Sequence, residues 1–206
     1  MNFKDIFLNF FGTFYILVSL LAFYNSITNI GWSFVLWLSY TIFFLIGLGI
    51  LFRNSYLLGS QFNIAFIPYI LWSIDFLYLL VFRKNLWGIS TYVFTTRSFL
   101  SQFITVQHLF IIPIAFISLY FIKFKRKDFW ILSLAQVVVF FILTRLFSDP
   151  STNINCVFKS CLPFDIVPNY YILVWFISAA AMILLVNLFL LKIRAFNARR
   201  RNLIPS

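Results

Sequence analysis

The chain of 206 residues contains no glutamate, and its five acidic residues are all aspartate. It has a single histidine, two cysteines and six glycines, and only 10% of its residues are charged. An ordinary soluble domain carries about 25% charged residues, because a globule of this size has a large surface to wet. The shortage of charge excludes a water-soluble globular protein and a disordered chain. Two cysteines are too few for a disulfide-stapled secreted miniprotein. What the chain has instead is hydrophobicity: 63% of residues are apolar, 22% are aromatic, and phenylalanine alone supplies 30. That composition predicts an all-α polytopic membrane bundle.

A membrane span takes about 20 apolar residues. Six stretches qualify, at about 6–26, 32–52, 63–82, 98–122, 129–147 and 170–191, so the chain reads as one integral membrane domain over 1–206. The first stretch is too long for the apolar part of a cleavable signal and lacks a small-residue cleavage site. The link between the first two spans is very short, which makes them antiparallel neighbours. No internal repeat is visible, so an inverted-repeat transporter has no support from symmetry.

The net charge is +11. In a soluble protein this would point to nucleic acid; here the cations fall in loops. Lys123, Lys125, Arg126 and Lys127 follow the fourth span, and Lys192, Arg194, Arg199, Arg200 and Arg201 follow the sixth. With an even number of spans these share a side with Lys4 and Arg53, leaving Arg83, Lys84, Arg97 and Lys159 opposite. The positive-inside rule then places both termini in the cytoplasm of a multi-pass protein of the cell membrane. The lipid bilayer is the expected partner, and nucleic acid is not.

Cys156 and Cys161 lie in the longest loop, on the expected outer side, where a disulfide closing a small ring is the reading favoured by compartment. A redox pair is the rival, but four residues separate these cysteines where such pairs usually have two. Zinc is not expected, since no histidine accompanies them. No cofactor is called for.

Ionisable groups in hydrocarbon are costly and are functional candidates by default. Asp75 falls in the third span, His108 in the fourth, and Ser39 and Thr41 in the second. Counted at 1.5 Å per residue, Thr41, Asp75 and His108 all lie roughly 10–15 Å below the outer boundary. A hydroxyl, a carboxylate and an imidazole at one depth form the minimal set for a base-activated nucleophile. Ser101, Thr105 and His108 follow i, i+4, i+7 and so share a face. The bland alternatives are hydroxyls bonded to their own helix, His108 packed on Asp75 as a structural pair, or Asp75 paired with Arg145. Pro68 and Pro113 are expected to kink the third and fourth spans.

The run Gln107-His108-Leu-Phe-Ile-Ile-Pro113 resembles the His-x4-Pro segment of the androgen-induced-gene family of multipass membrane threonine hydrolases. Thr41, in Ser39-Tyr40-Thr41-Ile42-Phe43, stands where that family places its threonine. The late loop, with Asn155-Cys-Val-Phe158 and Pro163, resembles that of the bacterial YwaF-type integral membrane family. The second span departs from the latter, which carries Pro, His and Cys where this chain has residues 35–41, so Ser39 and Thr41 both stay candidates. The resemblance implies lipid acyl-ester chemistry.

Three function classes follow. The first is an intramembrane lipid-ester hydrolase or acyltransferase, with Thr41 or Ser39 as nucleophile, His108 as general base, Asp75 orienting it, and Trp37, Trp72 and the phenylalanines lining an acyl pocket. The second is a non-enzymatic scaffold or subunit that stabilises a membrane-protein partner. The third is a small-solute or proton-coupled transporter using Asp75 and His108 as a relay.

Overall fold

The computed structural model describes residues 2–95, 98–163 and 168–196. Arg97 and Arg199–Arg201, which contributed to the topology argument, lie outside the described residues. The architecture is an all-α bundle: α1 Phe3–Asn25, α2 Leu38–Leu51, α3 Ser55–Phe82, the single turn α4 Tyr92–Thr95, α5 Phe99–Val106, α6 His108–Ile122, α7 Trp130–Phe147 and α8 Tyr171–Lys192. Five helical segments are long and apolar enough to cross a membrane: Phe3–Ile30, Ser55–Phe82, Phe99–Ile122, Trp130–Phe147 and Tyr171–Lys192. These fit an integral membrane protein.

Three expected boundaries differ, each for a local reason. The second span is not one helix. A 3-10 segment, Trp32–Leu36, ends at Trp37, whose ψ of 116° takes the chain out of helical geometry before α2 begins. The 14 residues of α2 reach only about 21 Å, short of the roughly 30 Å hydrocarbon core that a span has to cross. The third span starts earlier than expected, at Ser55, where Asn54 caps it by accepting from the N–H groups of Tyr56 and Leu57. The fourth is interrupted at Gln107, not at Pro113; the helices holding Pro68 and Pro113 run through both prolines. Gly31, at φ 142°, supplies the hinge between a π turn closing α1 and the 3-10 segment. Only a residue without Cβ takes that conformation easily.

Both described ends of the chain lie at one end of the bundle. Asp5 and Asn9 of α1 meet Arg53. The Phe124 N–H donates to the Phe196 carbonyl at 2.6 Å, and Lys123 donates to the Ala195 carbonyl. The far end carries the α1 turn, the start of α2 and the loops after α3 and α7.

The helices are held by close backbone approach and by buried amides. A Cβ on Gly47 would sit 2.8 Å from the Gly12 carbonyl oxygen and 2.9 Å from the Ile16 nitrogen. Small residues permit this contact, which supplies dispersion where lipid offers no hydrophobic gain. Gly47→Ala is therefore expected to lower stability by about 1–3 kcal/mol, read as a drop in thermal midpoint in detergent; an unchanged midpoint would show that α1 and α2 can separate freely.

On α3, Gln61 and Gln136 of α7 exchange amide hydrogen bonds at 2.7 and 3.1 Å. Asn63 donates to Ser133 and to Asn187 of α8, at 3.4 and 3.3 Å. Ser133 in turn donates to the Ser60 carbonyl at 2.9 Å. This layer sits in the half of the bundle near the termini and ties three helices together, as polar groups in hydrocarbon must be tied.

Candidate functional site

Asp75 is fully buried, and the loop after α3 folds back into the bundle to reach it. One carboxylate oxygen accepts from the backbone N–H groups of Trp87 and Gly88 at 2.7 and 3.2 Å. The other accepts from the N–H and the hydroxyl of Ser90 at 2.8 and 2.6 Å. Both oxygens are thus engaged by one loop. Among the described residues Asp75 makes no bond to His108 and no ion pair with Arg145. The expected His108–Asp75 contact is replaced by a loop anchor, because backbone N–H groups out-compete a distant imidazole for the carboxylate.

His108 opens α6, where the helix is interrupted. Its Nδ1 lies 2.7 Å from the Thr105 carbonyl oxygen. A carbonyl only accepts, so Nδ1 carries the proton and Nε2 of the neutral ring is left as an acceptor. Gln107 similarly donates to the Phe103 carbonyl, and Thr105 to the Ser101 carbonyl. Three side chains thereby satisfy carbonyls of the disturbed turn. The shared face of Ser101, Thr105 and His108 is used in this way, and Ser101 also accepts from Asn25 of α1 at 2.9 Å.

Three aromatic rings surround the imidazole: Tyr69 at 4.6 Å, Trp72 at 5.1 Å and Phe43 at 5.2 Å between centroids. Despite this enclosure His108 is only half-buried. The Tyr69 hydroxyl is buried and has no hydrogen-bond partner among the described residues.

The two candidate nucleophiles part company around α2. At 3.6 residues per turn, Ser39 lies about 40° from Phe43, the residue that touches His108, whereas Thr41 lies about 160° away. Ser39 shares the His108 face and Thr41 does not. No hydrogen bond joins either hydroxyl to His108 among the described residues. Sequence reasoning missed Tyr69. In a chain this rich in aromatics it carries no contrast, and only its spacing from His108 would have marked it.

Cys156 and Cys161 form a disulfide. Next to it, Asn155 links the late loop to the break before α2. It accepts from the Leu38 N–H at 2.9 Å and donates to the Leu36 carbonyl at 2.8 Å and to Thr144 at 3.0 Å. Trp37 and Ser39 stand directly beside this clamp, which fixes where α2 begins.

Comparison with family models, with characterised proteins and with solved structures finds no match to this chain. The functional reading accordingly rests on the residues just described.

Proposed function

We propose that this integral membrane protein acts on an ester linkage of a membrane lipid, as a hydrolase or acyltransferase, at His108. The observation that carries the reading is the state of the imidazole. Its Nδ1–H is committed to the Thr105 carbonyl and its ring is fixed by Phe43, Tyr69 and Trp72. Nε2 is left to take a proton, the arrangement a general base requires. The implied likeness of the Gln107–Pro113 run to membrane threonine hydrolases points the same way, but the hydroxyl on the His108 face is Ser39.

In this reading the Ser39 oxygen attacks the acyl carbon and Nε2 takes its proton. The Tyr69 hydroxyl donates to the developing oxyanion. As the ester C–O bond breaks, the imidazolium returns the proton to the leaving alkoxide, and a water or a second alcohol then releases the acyl group by the same cycle. Asp75 holds the loop bearing Tyr92 and takes no proton.

The test is turnover of a long-chain acyl ester presented in mixed micelles. His108→Ala is expected to lower the rate at least about 100-fold, the scale of a lost general base, in protein that is still folded at the assay temperature. Ser39→Ala should abolish acyl-enzyme formation, and Thr41→Ala should leave it intact. Equal turnover by wild type and His108→Ala would end the proposal.

A further inference from the structure

The end of the bundle that carries both described chain ends has a feature of its own, apart from His108. A cavity of about 310 Å³ lies between the start of α3 and the loop after α6, lined by Phe52, Arg53, Ser55, Tyr56, Lys125 and Arg126. Its construction follows from one glycine. Ser55 and Gly59 are four residues apart and share a face of α3. A Cβ on Gly59 would sit 3.0 Å from the rings of Phe124 and Phe129, so Phe124 seats directly on the helix, and its N–H is held by the Phe196 carbonyl. The next two residues, Lys125 and Arg126, are thereby carried over the first turn of α3. There the Arg126 guanidinium lies 4.5 Å from the centre of the Tyr56 ring.

Three cations meet at this cavity, and two of them are fixed in place. Arg53 donates to the Ile50 and Leu51 carbonyls and to Asn9, and lies 3.8 Å from Asp5. Arg126 donates to Asp128 through Nε and Nη2, which leaves Nη1. Lys125 is exposed and makes no ion pair among the described residues. The residues that follow Phe196 in the sequence bring three more arginines and no aspartate or glutamate. Positive charge therefore exceeds negative charge here.

Ser55 separates this place from an ordinary charged surface. It is only 5% exposed and lines the cavity, and its hydroxyl has no hydrogen-bond partner among the described residues. Asn54 already serves the N–H groups of Tyr56 and Leu57, so the helix start asks nothing of Ser55. A buried hydroxyl left unpaired costs free energy. A hydroxyl, an ammonium and one free guanidinium nitrogen around a cavity form a donor set for a tetrahedral oxyanion.

We propose that this cavity binds a phosphate group, with the Ser55 hydroxyl, the Lys125 ammonium and Nη1 of Arg126 as its donors and Arg53 as fixed positive charge beside them. The site is independent of the chemistry at His108. Its phosphate comes from a lipid headgroup or from solution, and Phe52, 71% exposed at the cavity wall, offers an apolar lip to the first of these.

Phosphatidic acid and inorganic phosphate are the two probes, applied to the full-length protein in detergent. Retained lipid is counted by native mass spectrometry against diacylglycerol, which has the chains without the phosphate. Inorganic phosphate is read as a rise in thermal midpoint against chloride of equal ionic strength. Wild type should retain phosphatidic acid over diacylglycerol by about tenfold or more, the scale of one charge-assisted contact, or gain midpoint with phosphate. Ser55→Ala should bring either response close to nothing. Lys125→Gln, at an exposed position that keeps the fold, should weaken it as well, whereas Lys127→Gln, an exposed cation outside the cavity, should not. Lipid that stays bound in millimolar inorganic phosphate identifies the headgroup as the source, and lipid displaced by it identifies free phosphate; both support the site. Parity between the two lipids together with no midpoint rise overturns the proposal. Wild-type binding in Ser55→Ala overturns it too, and so does an equal loss in Lys127→Gln and Lys125→Gln, since either result leaves only diffuse surface charge.

Discussion

Asp75→Ala is expected to lower stability by about 4 kcal/mol and to release the loop after α3. The carboxylate accepts four hydrogen bonds, three from backbone N–H groups with no other partner in view, and hydrogen bonds to a charged group contribute about 1.5–3 kcal/mol each before non-additivity. Removing the acceptor leaves the buried N–H and hydroxyl of Ser90 without it, and that orphaned pair carries most of the loss, since Trp87 and Gly88 are partly open to solvent. Asp75→Asn is the sharper variant. It keeps the volume, but its NH2 group must face donors at one of the two oxygen positions, and about half the loss is expected to remain. Thermal midpoints in detergent, with hydrogen exchange at residues 85–91, measure both. The rival assignment, in which Asp75 orients His108, predicts the reverse pattern: normal stability and a lost pH profile. A stable Asp75→Asn variant whose loop amides stay protected would remove the anchor role altogether.

The two roles differ in how they are written into a sequence. A carboxylate in an apolar helix is conspicuous, but its partners here are peptide N–H groups, which every residue except proline has and which no spacing rule reveals. Depth alone put Asp75 and His108 on one level, and depth says nothing about which way a side chain turns. The helical runs were legible because about 20 apolar residues is a demand made by the bilayer itself. The break at Trp37 was not, since it depends on Asn155, more than a hundred residues away in the chain, taking the Leu38 N–H and Leu36 carbonyl that a continuous helix would use internally. The start of α3 was hidden for a related reason: Ser60 and Gln61 fall ahead of the expected span at 63–82, yet they are buried because α7 brings a matching hydroxyl and amide to them. His108 stood out as the single imidazole, whereas the rings that orient it were lost among the other aromatics.

Asn155→Ala is the second variant with a large expected effect, about 3–4 kcal/mol, and its consequences should reach the surroundings of His108. Two contributions add. Three hydrogen bonds are lost, among them both that satisfy the broken backbone before α2, at roughly 1 kcal/mol each for neutral partners. Asn155 also sits at φ 55° and ψ 18°, left-handed geometry that costs most residues about 1 kcal/mol and asparagine less. Asn155→Gly removes the bonds without the strain, so it should be the milder of the two by about that 1 kcal/mol. Asn155→Asp keeps the acceptor for Leu38 but turns a second oxygen on the Leu36 carbonyl, and should lose nearly as much as alanine. Because the clamp sets the first turn of α2, Ser39 and Phe43 should lose their fixed register against His108 in all three variants. The readout is a thermal midpoint together with the accessibility of a cysteine introduced at Ser39: greater labelling in each variant than in the parent, in the order alanine, aspartate, glycine, is the expected result. Labelling that stays at the parent level while the midpoint falls would mean that the late loop stabilises the bundle without positioning α2.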